Sequence, residues 1–437
     1  MSTMNHGTTT ARGTPSTAAT PVQGKILPRP EPSRFSTAIA ELRRINAHPL
    51  TSYYILVSVT CVLVALGVVM VLSASFVLAL GTNQNVFSEL FQQGFYALLG
   101  IGFMFFFSRL PIKTWKKLAG PIVVLGIIVQ FLPFLPGIGT TINGSQSWIK
   151  LGSLTIQPSE FGKFALVLWL GMFLAAKEHK LNRPVELLPL LGICAFTVGP
   201  VLYGNDLGTG LMMMSLILGG LFVGGFPKRY FAIGLGGIMA IVAIMVFSSP
   251  NRMLRIKHLL GLGGADEAGI GGILGNQAQV NHALYAIATG GWSGVGLGAS
   301  REKWGYLPAA ESDYIFAIIG EELGVIGCII VLILYLLFAY ACIRLIVRSS
   351  NRLIQTTAAA VFSWVLAQAF VNMLVVTKIL PVIGVPLPFI SKGGSALIAT
   401  CMAVGLLASF ARREPGAPEV IAARRHARQL RRTQGKK

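Results

Sequence analysis

Asp313 is the last charged residue before a long apolar run that begins Tyr-Ile-Phe-Ala-Ile-Ile. A carboxylate at the boundary between water and hydrocarbon is partly desolvated. That raises its pKa and suits it to act as a general base. The competing reading is an N-cap, in which Asp313 or Ser312 holds the first turn of the helix that follows. Glu321 and Glu322 lie about two turns deeper, roughly 12 Å at 1.5 Å per residue. Two buried carboxylates so near a surface aspartate favour a functional cluster over a simple cap.

Four further groups of residues carry chemistry. In Trp148-Ile-Lys150 and Gln157-Pro-Ser-Glu160 with Lys163, Trp148 has the ordinary reading of an interfacial belt residue. Glu160 and Lys163, three apart, share a helix face and enter the bilayer together, so they pair with each other or face a wet cavity. Asp206 sits in a tight turn before Leu-Gly-Thr, the usual place of a helix cap. Arg252 and Arg255 are also three apart; arginine pairs suit bidentate recognition of phosphate, with snorkelling at the membrane surface as the alternative. Gln279-Val-Asn-His282 opens a half-buried amphipathic helix, followed by the glycine-rich Gly290–Gly298. Those glycines are not a dinucleotide fingerprint, since no strand precedes them and the spacing fails. Ser391-Lys392-Gly393-Gly394 admits a broken helix start whose exposed N–H groups bind an anion, or close helix packing.

The elements that must position these residues are membrane helices. Of 437 residues, 53% are apolar and only 12% charged, about half the charge of an ordinary soluble chain. The apolar residues fall into ten runs: 53–80, 90–107, 118–136, 160–176, 187–203, 208–226, 229–247, 314–342, 354–377 and 388–410. Each approaches the length that crosses a ~30 Å hydrocarbon core. The expected fold is therefore an all-α polytopic membrane protein of ten transmembrane helices. With the N-terminus inside, the inner segments hold 27 Lys and Arg and the outer ones 7. This sets an N-in/C-in topology, with a large extracytoplasmic loop, 248–313, between spans 7 and 8. Every polar cluster above, from Trp148 to Gly394, then maps to the outer face.

The net charge of +20 is an orientation bias and not a nucleic-acid surface. Residues 1–49 read as a disordered basic cytoplasmic tail, 50–411 as the membrane domain, and 412–437 as a basic cytoplasmic tail anchored on anionic lipid. Cys61, Cys194, Cys328, Cys342 and Cys401 all lie in apolar runs and read as small core residues. There is no GxxxxGK[ST], no HExxH and no calcium-loop pattern. The middle depth of the spans is almost free of ionisable residues, unlike an ion-coupled carrier.

Over roughly 50–413 the chain resembles the SEDS family (shape, elongation, division and sporulation), the FtsW/RodA peptidoglycan polymerases. The resemblance rests on Trp148-Ile-Lys-Leu-Gly with Gln157-Pro-Ser-Glu160-Phe-Gly-Lys163, on Asn205-Asp206-Leu-Gly-Thr, on Glu311-Ser-Asp313 through Gly324, and on Pro388-Phe-Ile-Ser-Lys-Gly-Gly-Ser395. It lies closer to the division branch than to the elongation branch. It implies a glycosyltransferase that polymerises lipid II into glycan strands outside the bacterial cytoplasmic membrane, at the division septum. Asp313 carries over as the essential aspartate and general base. Trp148, Glu160, Lys163, Asp206, Arg252, Arg255, Gln279, Ser391, Lys392, Gly393 and Gly394 are the implied substrate-binding positions. A divalent cation, Mg or Mn, is the implied cofactor, with no ligand set assigned. The implied partners are a class B penicillin-binding transpeptidase and other cell-division membrane proteins. Three positions depart from the family pattern: Ser147 for a basic residue, His282 for glutamine, and Lys392 for the tyrosine of Ser-Tyr-Gly-Gly. A lipid II flippase and a division scaffold are the rival readings.

Overall fold

The structure is a computed structural model and describes residues 48–81, 86–142, 144–152, 154–260 and 276–434. The N-terminal tail lies outside these residues except for His48 and Pro49. Helices α1 (Thr51–Gly81), α2 (Val86–Ser108) and α3 (Ile112–Phe131) come first. They are followed by α4 (Pro158–Ala176), α5 (Pro184–Tyr203), α6 (Leu207–Val223) and α7 (Lys228–Phe247). Two short helices, α8 (Pro250–Leu259) and α9 (Asn276–Gly290), precede α10 (Ile315–Arg348), α11 (Arg352–Val376), α12 (Gly394–Ala411) and α13 (Ala417–Gln434). Proline opens α4 and α5, where its missing N–H would in any case lack a partner.

Among the described residues, nine helices are long and apolar enough to cross a membrane, and α6 is a shorter apolar helix. Together they match the ten apolar runs. With 17 residues, α6 spans about 25 Å and falls short of a ~30 Å core. Helices α4, α11 and α12 form the centre, with 78%, 67% and 83% of their most apolar stretch buried in protein. Small residues bring the neighbours of α11 close: a Cβ on Gly171 or Gly219 would fall about 2 Å from the Thr357 or Ser363 hydroxyl. Lipid supplies no hydrophobic drive between helices, so such close packing is what holds them. Helix α7 buries no residue.

The segments assigned to one side of the membrane bond to one another. At the inner end Arg344 pairs with Glu414 at 2.7 Å and with Ser52 at 2.5 Å, while Arg352 reaches Glu178 at 2.5 Å. The basic C-terminal segment is helical in α13, and Arg424 stacks on Tyr54. At the outer end the fold adds what the all-helical expectation lacked. This is a three-stranded antiparallel sheet of β1 (Gly139–Ile142), β2 (Ser145–Leu151) and β3 (Leu154–Ile156). Its strands are too short and too polar at their turns to register as period-two patterns.

Helix α10 is broken at Gly324, which has φ 69° and ψ −169°. The Gly290–Gly296 loop closes the break. Val295 and Gly296 donate to the carbonyls of Glu321 and Glu322, and Val325 and Ile326 donate to those of Gly291 and Trp292. A Cβ on Gly294 would stand 2.2 Å from the Glu322 carbonyl oxygen. The loop is glycine-rich because two backbones must touch there, and the exchange satisfies polar groups that hydrocarbon could not.

Candidate functional site

The outer segments converge on Asp313, in the loop just before α10. Its carboxylate is half-buried, and among the described residues no side chain donates a hydrogen bond to it. The N-cap of α10 is Tyr314, which makes no side-chain capping bond. The capping reading therefore fails, and the carboxylate stays available. Burial first, then the nearby charges of Glu311 and Asp206, push the Asp313 carboxyl up to about 6.

Around this group the sequence-predicted residues sort into two sets. Asp206 does cap α6: its Oδ1 accepts from Thr209 N–H at 3.0 Å, and its Oδ2 accepts from Gln157 Nε2 at 2.9 Å. It nevertheless remains within electrostatic reach of Asp313. Arg252 and Arg255 lie on α8, as the i, i+3 spacing predicts. Arg252 donates to Met245 O, Asn205 O and Asn205 Oδ1 at 2.9 to 3.0 Å. Arg255 donates through one terminal nitrogen to Val382 O at 2.9 Å. Among the described residues its Nε is buried without a partner, as is the Tyr314 hydroxyl, and the two side chains sense each other's charge. Both arginines therefore latch α8 to neutral oxygens, and burial lowers the pKa of each.

The other set is engaged elsewhere. Glu160 and Lys163 form a pair at 2.7 Å, with side chains 2% and 1% exposed. Lys163 also reaches Gln368 Oε1 at 3.3 Å and sits over the Trp364 ring. Lys163 is thereby linked through Gln368, which donates to Pro386 O, to the segment before α12. Ser391 Oγ donates to Ser312 O at 2.6 Å and accepts from Leu387 N–H at 2.7 Å. Gly394 lies flat on the Tyr96 ring, where a Cβ would meet ring carbons at 2.5 Å. Close packing explains Gly394 better than an anion site does. Gly393 precedes α12 in an extended conformation, and Lys392 donates its N–H to Glu311 O. Trp148 is half-buried on β2 opposite Thr140. Gln279 is half-buried on α9, beside Asn281, which accepts from Lys378. A separate small pocket between α3, β2, α4 and α5 is lined by Gln130, Gln146, Ser147 and Ser159.

Glu321 and Glu322 correct the expectation of a catalytic carboxylate cluster. Glu321 accepts from Ser300 Oγ at 2.5 Å and Arg301 N–H at 2.8 Å. Glu322 accepts from Lys303 Nζ at 2.8 Å and from Ser73 Oγ. Glu322 is paired with Lys303 and Glu321 is held by neutral donors, so the two hold the loop to the helix. The sequence reading also missed Asn372, whose Nδ2 donates to Asp313 O at 2.7 Å and to Val385 O at 2.8 Å. The signal was present: Gln368 and Asn372 are amide side chains four apart in a largely apolar span, where such groups are costly and face a partner. Among the described residues no three His, Cys, Asp or Glu side chains converge.

Residues 53–415 match the FtsW/RodA/SpoVE family model, described as a cell cycle protein. The chain is 33% identical over 429 residues to a probable peptidoglycan glycosyltransferase FtsW of Mycobacterium tuberculosis, covering 97% of this chain and 80% of that protein. It is 35% identical over 360 residues to stage V sporulation protein E of Bacillus subtilis, covering 82% and 96%. Among solved structures it matches a chain from a study of polymerization and crosslinking by a peptidoglycan synthase complex, with TM-score 0.64, 26% identity and coverage of 82% and 96%. The rod shape determining protein RodA of Thermus thermophilus matches with TM-score 0.59 and 24% identity, again over 82% and 96%. A match over 363 consecutive positions, containing every motif around Asp313, leaves one conclusion: the chain belongs to the FtsW/RodA/SpoVE family of cell cycle proteins.

Proposed function

We propose that this multi-pass membrane protein is a peptidoglycan glycosyltransferase that polymerises lipid II at the outer face of the bacterial cytoplasmic membrane. The observation that carries the mechanism is Asp313, a carboxylate without a donor among the described side chains and pushed up to about 6. It is ionised at neutral pH yet basic enough to accept a proton. Asp313 takes the proton from the sugar 4-hydroxyl of the acceptor lipid II. That oxygen attacks the anomeric carbon of the growing strand, the bond to undecaprenyl pyrophosphate breaks, and the configuration inverts. Arg255, with its unpartnered Nε, and Arg252 are the groups that meet the developing negative charge. They need only exchange carbonyl partners for phosphate oxygens, which bind guanidinium more strongly.

The orientation follows from the lysine and arginine bias, with both termini inside. Similarity to FtsW supports a septal location, and similarity to a chain of a synthase complex supports a class B penicillin-binding transpeptidase as partner. The test uses purified protein, alone and with a cognate transpeptidase, given lipid II and Mg²⁺, with glycan chains resolved on a gel. Chains from the wild type and none from Asp313→Asn support the reading. Chains from both remove Asp313 from the mechanism. No chains, with lipid II crossing vesicle membranes, replaces the polymerase with a flippase.

A further inference from the structure

Three consecutive carbonyls lead up to the base, and each is held by a donor from outside its loop. Lys392 N–H donates to Glu311 O at 2.9 Å, Ser391 Oγ to Ser312 O at 2.6 Å, and Asn372 Nδ2 to Asp313 O at 2.7 Å. The first two donors come from the segment between α11 and α12. Asn372 comes from within α11 and is 2% exposed. The same Nδ2 donates to Val385 O at 2.8 Å. One amide thus fastens the backbone of Asp313 to the strand-like stretch that carries Gly384. A Cβ on Gly384, at φ 75°, would lie 3.6 Å from Asp313 Oδ2, so this backbone forms the wall beside the carboxylate.

The Asp313 carboxylate has no side-chain donor of its own among the described residues. Its direction is therefore set by its main chain and by that wall, and Asn372 joins the two. We propose that Asn372 is a positioning residue for the general base, fixing where the Asp313 carboxylate points and keeping it partly out of water. The proposal rests on the reading of Asp313 as that base. Two carbonyls are left without a donor when the amide is removed, and the loop relaxes toward solvent to satisfy them. A displacement of about 1 Å at a reacting group costs on the order of 10²-fold in rate.

The experiment compares wild type, Asn372→Leu, Asn372→Ser and Asp313→Asn as full-length detergent-purified protein, with folding checked by thermal melting. Lipid II polymerisation is measured from pH 4.5 to 8. Asn372→Leu is expected to lower kcat about 10- to 100-fold with KM changed by less than about threefold. The acidic limb of its pH profile is expected to move below that of the wild type, because a better solvated carboxylate ionises more easily. A residue that merely stabilised the bundle would reduce the folded fraction and leave the limb in place. Should Asn372→Leu not fold, Asn372→Ser, smaller and still polar, reads the same limb. A wild-type limb with kcat within about threefold, in whichever variant folds, overturns the proposal while Asp313→Asn remains inactive. Activity in Asp313→Asn overturns the base assignment itself, and the two failures are thereby distinct.

Discussion

Two sets of acidic residues flank the outer end of α10, and they differ in what surrounds them. Glu321 and Glu322 are fully buried, yet Lys303 pairs with Glu322 and Ser300, Arg301 N–H and Ser73 donate hydrogen bonds to the two carboxylates. Asp313 lies a few residues away, less buried, with no such donor among the described side chains and with Glu311 and Asp206 adding negative charge. Burial alone therefore does not mark a reactive carboxylate. A buried charge that the protein has neutralised is structure, because any change in its state costs the pairing. A half-buried charge left without a partner has a raised pKa and can exchange a proton with a substrate.

The largest effect separating the two sets is on turnover. Asp313→Asn is expected to lower polymerisation by about 10²- to 10⁴-fold while the protein elutes and melts as folded. Glu322→Leu should do the reverse. It strands Lys303 in a buried site, destabilises the fold by about 3–5 kcal/mol, and leaves activity per folded molecule close to wild type. A Glu322→Leu protein that melts normally but makes no glycan would erase the distinction.

A smaller effect belongs to Arg255. Arg255→Ala is expected to reduce kcat/KM by about 10- to 100-fold, as for loss of a charged hydrogen bond. Binding of a polyprenyl pyrophosphate should weaken in step, which equilibrium binding to the purified variant measures. The pH profile sharpens the comparison further. With Asp313 at about 6, activity rises as the carboxylate ionises, reaching about a tenth of its plateau at pH 5. The limb disappears in no Glu321 or Glu322 variant that folds.

The smallest effect is on stability. The folded pKa of Asp313 is raised above its ordinary value of 3.8, so the folded state binds the proton more tightly than the unfolded one. Stability falls as pH rises from the ordinary value through the folded one, and stays lower above it. Asp313→Asn removes that penalty. The variant is expected to melt at a slightly higher temperature than wild type at pH 8, the gap closing toward pH 4. For Glu322, paired with Lys303, neutralisation should lower the melting temperature at pH 8 instead.

Much of the architecture was legible in the chain. Apolar runs near membrane length gave the helices, since the backbone can satisfy itself in lipid only that way. The i, i+3 spacings placed Glu160 with Lys163 and Arg252 with Arg255, because helical periodicity is local. The short sheet was not legible, its strands being only three to seven residues long. Nor was the role of the glycine-rich loop, whose meaning lies in backbone contacts with a helix break some thirty positions later.

The sequence by itself determined the membrane class and singled out Asp313 as the residue to watch. Each of these follows from hydropathy or a continuous motif, which are properties of residues near one another in the chain. Only the tertiary structure decided which distant partners the polar groups meet. Lys303 reaches Glu322, Lys163 reaches Gln368, and Asn372 reaches Asp313 across 19, 205 and 59 positions. Whether a carboxylate is neutralised or left to react depends on donors brought by folding, and no local pattern encodes their arrival.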